Sequence, residues 1–191
     1  MLASGSGSNL QALIDDQGEY RIALVLSDKP GSRALERAEQ AGLPTAVVAW
    51  PGERGVFTTA ICDAVAAAGA ELMVLAGFMR ILGREAIDRF PDRILNLHPS
   101  LLPAFPGAHA VESALEHGVK VTGVTVHFVD EEVDHGPIIA QVPVPVAAGD
   151  DRDSLHARLQ AEEHRIYPAV VAGLARGEIT LEERTVRWRK T

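Results

Sequence analysis

The sequence predicts an α/β fold, a doubly wound and mostly parallel sheet with helices on both faces, and three observations carry that prediction. Apolar, β-rich runs at residues 21–27, 45–49, 71–76 and 93–97 alternate with segments of helical composition or spacing at 9–16, 32–41, 56–68 and 84–90. Parallel neighbours in a sheet need long crossovers, and helices commonly supply them. Second, Gly5-Ser6-Gly7-Ser8-Asn9 stands where the first strand should give way to the first helix, a place where glycine lets the backbone approach a ligand without a Cβ in the way. Third, two polar residues, Asn96 and His98, close the buried run Ile94-Leu95, and open α/β sheets hold their ligands at the carboxyl ends of strands.

Taken in order, only Met1-Leu2-Ala3 precede the glycine turn, whereas a strand usually supplies about five or six residues. A shortened first strand is expected, from a clipped or misassigned start. Beyond the four strand and helix pairs, Pro99, Pro103 and Pro106 punctuate an apolar loop that should be ordered, because Leu101, Leu102 and Phe105 need burial. A helix is expected over 109–117, β segments over 121–129 and 138–146, and a long helix from 154 to about 176 after the acidic run 149–153. Residues 179–188 fit a terminal hairpin. No internal repeat, linker or low-complexity tract is visible, and 191 residues suit one domain, with halves 1–98 and 99–191.

Composition removes several classes of function. The 47% hydrophobic and 23% charged fractions are ordinary for a globular protein, and no apolar run approaches the roughly 18 residues of a membrane span. A net charge of −8 opposes broad contact with nucleic acid, whose affinity rests on Lys and Arg neutralising phosphates. Cys62 is the single cysteine, so neither an intrachain disulfide nor a Cys-x-x-Cys pair can form. With no cationic and apolar leader before the Ser4 to Asn9 stretch, a cytoplasmic protein is expected. His109, His117, His127, His135, His156 and His164 are irregularly spaced and read as surface or core residues, so no metal is expected. There is no Gly-x-Ser-x-Gly elbow for a nucleophilic serine.

Three features carry chemistry. The glycine turn lacks the third glycine of a dinucleotide fingerprint and is no Gly-x-x-x-x-Gly-Lys loop. Either it is an ordinary turn, or the helix N-terminus behind it, capped by Ser8 or Asn9, binds an anion. Strand alternation puts Asn96 and His98 on one side with Leu97 on the other. An amide donor beside an imidazole can polarise a carbonyl and stabilise an oxyanion; the alternative is that the pair only satisfies loop backbone. Asp134, in Val133-Asp134-His135-Gly136-Pro137, is either a solvated turn residue after Asp130-Glu131-Glu132 or a carboxylate returned to His98, where it would favour the imidazolium. Glu162-Glu163-His164 reads as an amine site or as a solvated helix face.

Taken together, the ordered series resembles the phosphoribosylglycinamide formyltransferase family through most of the chain. The matching motifs are Ala3-Ser4-Gly5-Ser6-Gly7-Ser8-Asn9-Leu10-Gln11, Leu75-Ala76-Gly77-Phe78-Met79-Arg80-Ile81-Leu82 and Asn96-Leu97-His98-Pro99-Ser100-Leu101-Leu102-Pro103. Phe105-Pro106-Gly107, Val126-His127-Phe128-Val129, the Asp134 turn and Glu163-His164-Arg165-Ile166-Tyr167-Pro168 complete it. The resemblance implies a Rossmann-type formyltransferase domain over residues 1–191, nucleotide-binding in its first half and folate-binding in its second. It implies that Asn96, His98 and Asp134 are catalytic, and that Gly7, Ser8 and Asn9, with Gln160 and Glu163, hold phosphoribosylglycinamide. It places Arg54, Met79, Arg80, Ile81, Leu82 and Asn96, with Asp130, Glu131, Glu132, Val133 and Asp134, around the folate.

The implied reaction is direct amine attack on the formyl carbon of 10-formyltetrahydrofolate, a consumed cosubstrate, with no metal and no covalent enzyme intermediate. The partners implied are small molecules, with a monomer or homodimer and neither nucleic acid nor membrane. Thr125 stands where the family often has serine, and His135 where it commonly has glycine. A formyl-sugar synthase, a formyltetrahydrofolate hydrolase and a non-catalytic nucleotide-binding module are the competing readings.

Overall fold

A computed structural model describes residues 1–189, and the chain divides into two compact units, Met1–Leu95 and the segment from Asn96 onward. In the first unit the elements run α1 (Ser8–Asp15), β1 (Val25–Ser27), α2 (Arg33–Gln40), β2 (Thr45–Val47), α3 (Arg54–Ala67), β3 (Met73–Leu75) and α4 (Arg84–Arg89), followed by the start of β4 (Ile94–His98). β1 and β2 pair in parallel, with Val25 opposite Thr45. Leu2 forms parallel bridges to both Leu26 and Leu75, its N–H donating to the Val74 carbonyl at 2.9 Å and its carbonyl accepting from Ala76 at 2.8 Å. The expected first strand is thus a single bridging residue between β1 and β3. On the far side of β3, the N–H of Met73 donates to the carbonyl of Arg93 at 2.7 Å, just before β4.

Element types match the sequence expectation, and the bounds shift for local reasons. The strand expected from residue 21 begins at Val25, because the N–H of Ile22 is taken by the Gln17 side chain at 3.1 Å instead of a neighbouring strand. Helix α3 begins two residues before the expected start at 56, because the Glu53 carboxylate accepts from the N–H groups of Gly55 and Val56, both at 2.8 Å. These are donors that a helix start otherwise leaves orphaned. Leu10, Leu13, Leu26, Phe57, Ile61 and Met73 are fully buried in this unit, each contributing roughly 1.5–3 kcal/mol by leaving water.

The second unit continues with the end of β4, then α5 (Ala110–Glu116), β5 (Val121–Phe128), β6 (Ile138–Pro145), α6 (Arg152–Ala175), β7 (Ile179–Glu182) and β8 (Thr185–Trp188). β4, β5 and β6 are neighbours in that order. β5 and β6 are antiparallel, with a register shift between Val126 and His127, so the sheet is mixed at this edge and the α/β class with flanking helices holds. Helix α6 packs on β5 and β6. It starts at a capping box, with Asp151 accepting from the Ser154 N–H at 2.8 Å and the Ser154 hydroxyl accepting from Asp151 at 2.9 Å. The expected hairpin at 179–188 forms as β7 and β8. Trp188 lies so close to α6 that a Cβ on Gly173 would stand 2.8 Å from its ring. Among the described residues no helix is long and apolar enough to cross a membrane.

Candidate active site

The end of β4 and the turn after β5 build one hydrogen-bonded cluster within the second unit. Alternation along β4 sends Asn96 and His98 to the same side, as expected. The turn at Asp134 takes a left-handed conformation, φ 54°, which aspartate tolerates better than most residues. Gly136 is required just beyond it, since a Cβ there would lie 1.9 Å from the carbonyl oxygen of Phe128. With the chain so turned, Asp134 Oδ2 sits 3.2 Å from His98 Nδ1, and both side chains are almost wholly buried, at 7% and 5% exposure. Asn96 Nδ2 donates to Asp134 Oδ1 at 3.2 Å, and the Gly107 N–H donates to Oδ2 at 2.7 Å.

The electrostatics of Asp134 reflect a contest. Burial pushes its carboxyl up, but the nearby His127 ring, the Gly107 N–H and the neighbouring His98 outweigh it and hold the carboxyl below the usual aspartate range. On its other side His98 Nε2 lies 2.8 Å from the Phe105 carbonyl, which only accepts. Both ring nitrogens therefore face acceptors, and only the doubly protonated ring donates to both. A buried imidazolium held between a carboxylate and a carbonyl, beside an amide, suits stabilisation of negative charge that develops on a carbonyl oxygen.

The apolar loop after β4 is held by a second buried network. The Thr125 hydroxyl donates to the Ser100 carbonyl at 2.7 Å and accepts from the Leu102 N–H at 3.1 Å and from Gln141 Nε2 at 2.9 Å. Ser100 Oγ donates to the Ala104 carbonyl at 2.5 Å. Threonine thus serves fully as a hydroxyl at this position. His135 brings no backbone strain of its own; its Nδ1 lies 2.8 Å from Asp130 Oδ2, and Arg184 donates to its carbonyl at 2.6 Å.

In the first unit Gly7 is the N-cap of α1, left-handed at φ 70°, with an imagined Cβ 2.8 Å from the Ala34 backbone. Ser8 and Asn9 lie inside the helix, so the expectation that either is its N-cap is corrected: Gly7 occupies that position and makes no side-chain cap hydrogen bond. Arg37 braces the turn from behind, its Nε donating to the Ser6 carbonyl at 2.9 Å and its Nη1 to Gln11 at 3.1 Å. The first turn of α1 carries no acidic residue, which leaves its N–H groups and dipole suited to an anion.

Arg54 opens α3. Met79 and Ile81 are exposed, at 69% and 53%, and Leu82 is half-buried. Between them Arg80 is clamped, its Nε donating to Asp28 at 3.0 Å and its guanidinium lying 4.8 Å from the centre of the Trp50 ring. In the second unit Gln160 and the buried Glu163 lie on α6, while Asp130, Glu131, Glu132 and Val133 form the partly exposed turn that leads to Asp134. Among the described residues no group of His, Cys, Asp or Glu is arranged to hold a metal.

Sequence reasoning missed His127, read as an ordinary core or surface histidine, which joins the cluster with Nε2 3.2 Å from Asn96 Nδ2 and 3.6 Å from Asp134 Oδ1. Alternation along β5, which sets Thr125 and His127 on one face, was the available signal. The side that face adjoins is decided only when β5 pairs beside β4.

A family model described as formyl transferase matches residues 1–171. The chain is 49% identical over 190 residues to a phosphoribosylglycinamide formyltransferase of Mycobacterium tuberculosis, covering 97% of this chain and 88% of that one. It is 41% identical over 189 residues to the enzyme of that name from Escherichia coli, covering 96% and 89%. The crystal structure of a glycinamide ribonucleotide transformylase from Symbiobacterium toebii superimposes with a TM-score of 0.96 at 47% identity, over 99% of this chain and 92% of that one. The chain belongs to the formyl transferase family and, within it, to the phosphoribosylglycinamide formyltransferases.

Proposed function

We propose that this chain moves the formyl group of 10-formyltetrahydrofolate directly onto the amine of 5-phosphoribosylglycinamide, with Asn96, His98 and Asp134 as the catalytic residues. The chain is a folate-dependent formyltransferase of purine biosynthesis; the route and the residue roles are our reading. The observation that carries it is the buried cluster in which one carboxylate accepts from both His98 and Asn96.

The amine nitrogen attacks the formyl carbon, the carbonyl electrons move onto oxygen, and the tetrahedral intermediate collapses by breaking the bond between carbon and N10. The amine loses a proton and the departing N10 gains one. Charge on the former carbonyl oxygen is met by the His98 imidazolium and the Asn96 amide, and Asp134 supports the charge on His98. In the ligand-free arrangement His98 and Asn96 already donate within the protein. The substrate oxygen therefore enters by taking over one of those bonds, a tightening expected on substrate binding.

For the acceptor, Gly7, Ser8 and Asn9 are assigned to the phosphate, where the N-terminus of α1, with glycine at its cap and no acidic residue in its first turn, supports the reading, and Gln160 and Glu163 to the rest of the molecule. For the donor, Arg54, Met79, Arg80, Ile81, Leu82 and the turn 130–134 are assigned to the folate, with the exposed apolar side chains of Met79 and Ile81 suited to its rings. Residues 1–191 act as one formyltransferase domain, nucleotide-binding over 1–98 and folate-binding over 99–191, working on small molecules as a monomer or homodimer. The test is tetrahydrofolate release from purified protein with both substrates. Acceptor-dependent release supports transfer, and equal release without the acceptor would make the protein a hydrolase.

A further inference from the structure

We infer that His127 is a positioning residue for the formyl transfer, acting by pinning the amide of Asn96, an inference that rests on the catalytic reading of Asn96. His127 is buried, its ring 2% exposed, and it lies in β5 at the register shift with β6. Its Nδ1 is 2.8 Å from the carbonyl oxygen of Phe128. A carbonyl only accepts, so Nδ1 carries a proton. In the neutral ring Nε2 is then a bare acceptor, and the nearer of the two polar atoms facing it is the donor Asn96 Nδ2 at 3.2 Å, with Asp134 Oδ1 farther off at 3.6 Å.

A side-chain amide has two N–H donors. One goes to His127 Nε2, the other to Asp134 Oδ1, each at 3.2 Å. Turning the amide over would set its oxygen 3.2 Å from the Asp134 carboxylate oxygen, acceptor against acceptor. It would also deprive Nε2 of its donor. The two partners thus fix which end of Asn96 points inward and where its nitrogen stands when a substrate oxygen arrives. Without an acceptor at Nε2, one amide hydrogen is left buried and unpaired and the amide is held by Asp134 alone, which costs the chemical step more than binding.

Two substitutions separate this role from simple packing. Asparagine at 127 reproduces the Nδ1 donor toward Phe128 but lacks an acceptor at the Nε2 position, while glutamine reaches the Nε2 position and gives up the Nδ1 donor. His127→Asn is expected to lower kcat roughly 3- to 100-fold, the range that coupled hydrogen-bonding neighbours cover, with both KM values within about twofold. His127→Gln should recover most of the loss. In an Asn96→Ala background His127→Asn should cost little more, because its route of action is already gone.

His127→Asn turning over at the parent rate, His127→Gln slower than His127→Asn, or fully additive losses with Asn96→Ala would each overturn the inference. Asn96→Ala at the parent rate would overturn it together with the catalytic reading beneath it. If neither His127 variant folds, nitrogen NMR of the parent decides: a proton on Nδ1 with Nε2 bare supports the role, and a proton on Nε2 instead overturns it.

Discussion

Replacing Asp134 by asparagine removes one charge and one acceptor from the buried cluster while leaving its shape. The carboxylate takes three donors: His98 Nδ1 at 3.2 Å and the Gly107 N–H at 2.7 Å on Oδ2, and Asn96 at 3.2 Å on Oδ1. An asparagine amide has a single acceptor oxygen. If that oxygen keeps His98 and Gly107, its NH2 group meets the NH2 of Asn96 and the contact becomes donor against donor. The ion pair with His98, taken at 3.2 Å and an effective dielectric of about 20, has a Coulomb ceiling of about 5 kcal/mol. The measured worth of hydrogen bonds to charged groups is nearer 1.5–3 kcal/mol. That smaller figure is the better guide, and it predicts a fall in turnover of roughly 10- to 150-fold.

The fold should survive, because asparagine also adopts the left-handed conformation seen at this position, φ 54°. The assay is the initial rate of tetrahydrofolate release with both substrates saturating, beside a thermal melt. The acid side carries a second signature. The Asp134 carboxyl is held below the usual aspartate range, so its contribution to stability is present above that range and is lost as pH falls through its own lowered value. Asp134→Asn should lack that loss. A variant with parent turnover and a parent acid profile would refute the reasoning and return Asp134 to the role of a turn residue.

Asn96→Ala should lower turnover roughly 100- to 1,000-fold with small changes in KM, as loss of an oxyanion donor does; a change confined to KM would remove Asn96 from the chemical step. Ser8→Asp puts a carboxylate in the first turn of α1, which has none, and should weaken the phosphorylated acceptor about tenfold by calorimetry while sparing folate. Equal weakening of both ligands would mean that the glycine turn is not a phosphate site. Gly136→Ala drives a Cβ to 1.9 Å from the Phe128 carbonyl, and should cost at least about 2 kcal/mol in denaturant unfolding with loss of turnover; unchanged stability would show that the turn yields freely.

Much of the fold was legible because local patterns and tertiary needs agree. Alternating apolar runs and helical segments gave every element its type, and β4 appeared as Ile94–His98 against an expected 93–97. Boundaries slipped where a side chain overruled the periodicity. Glu53 reached forward to cap α3, and Gln17 reached Ile22 ahead of β1. Such reach across several residues leaves no trace in hydrophobic spacing.

By itself the sequence determined the α/β class, the family, and the placing of Asn96 and His98 on one face of a strand, since a period of two is a property of the backbone alone. It left Asp134 open between a solvated turn and a buried partner, and it passed over His127. Those two were decided by tertiary structure. Asp134, which the resemblance already named as catalytic, meets His98 only through a left-handed turn, admitted by the absence of a Cβ at Gly136, that brings its carboxylate to 3.2 Å from the ring. His127 joined the cluster only when β5 paired beside β4 and set its ring 3.2 Å from Asn96. The physical reason is range: alternation and capping act within a few residues along the chain, whereas these contacts join groups 36 and 31 positions apart, from 98 to 134 and from 96 to 127. Only the folded backbone sets the distance between them.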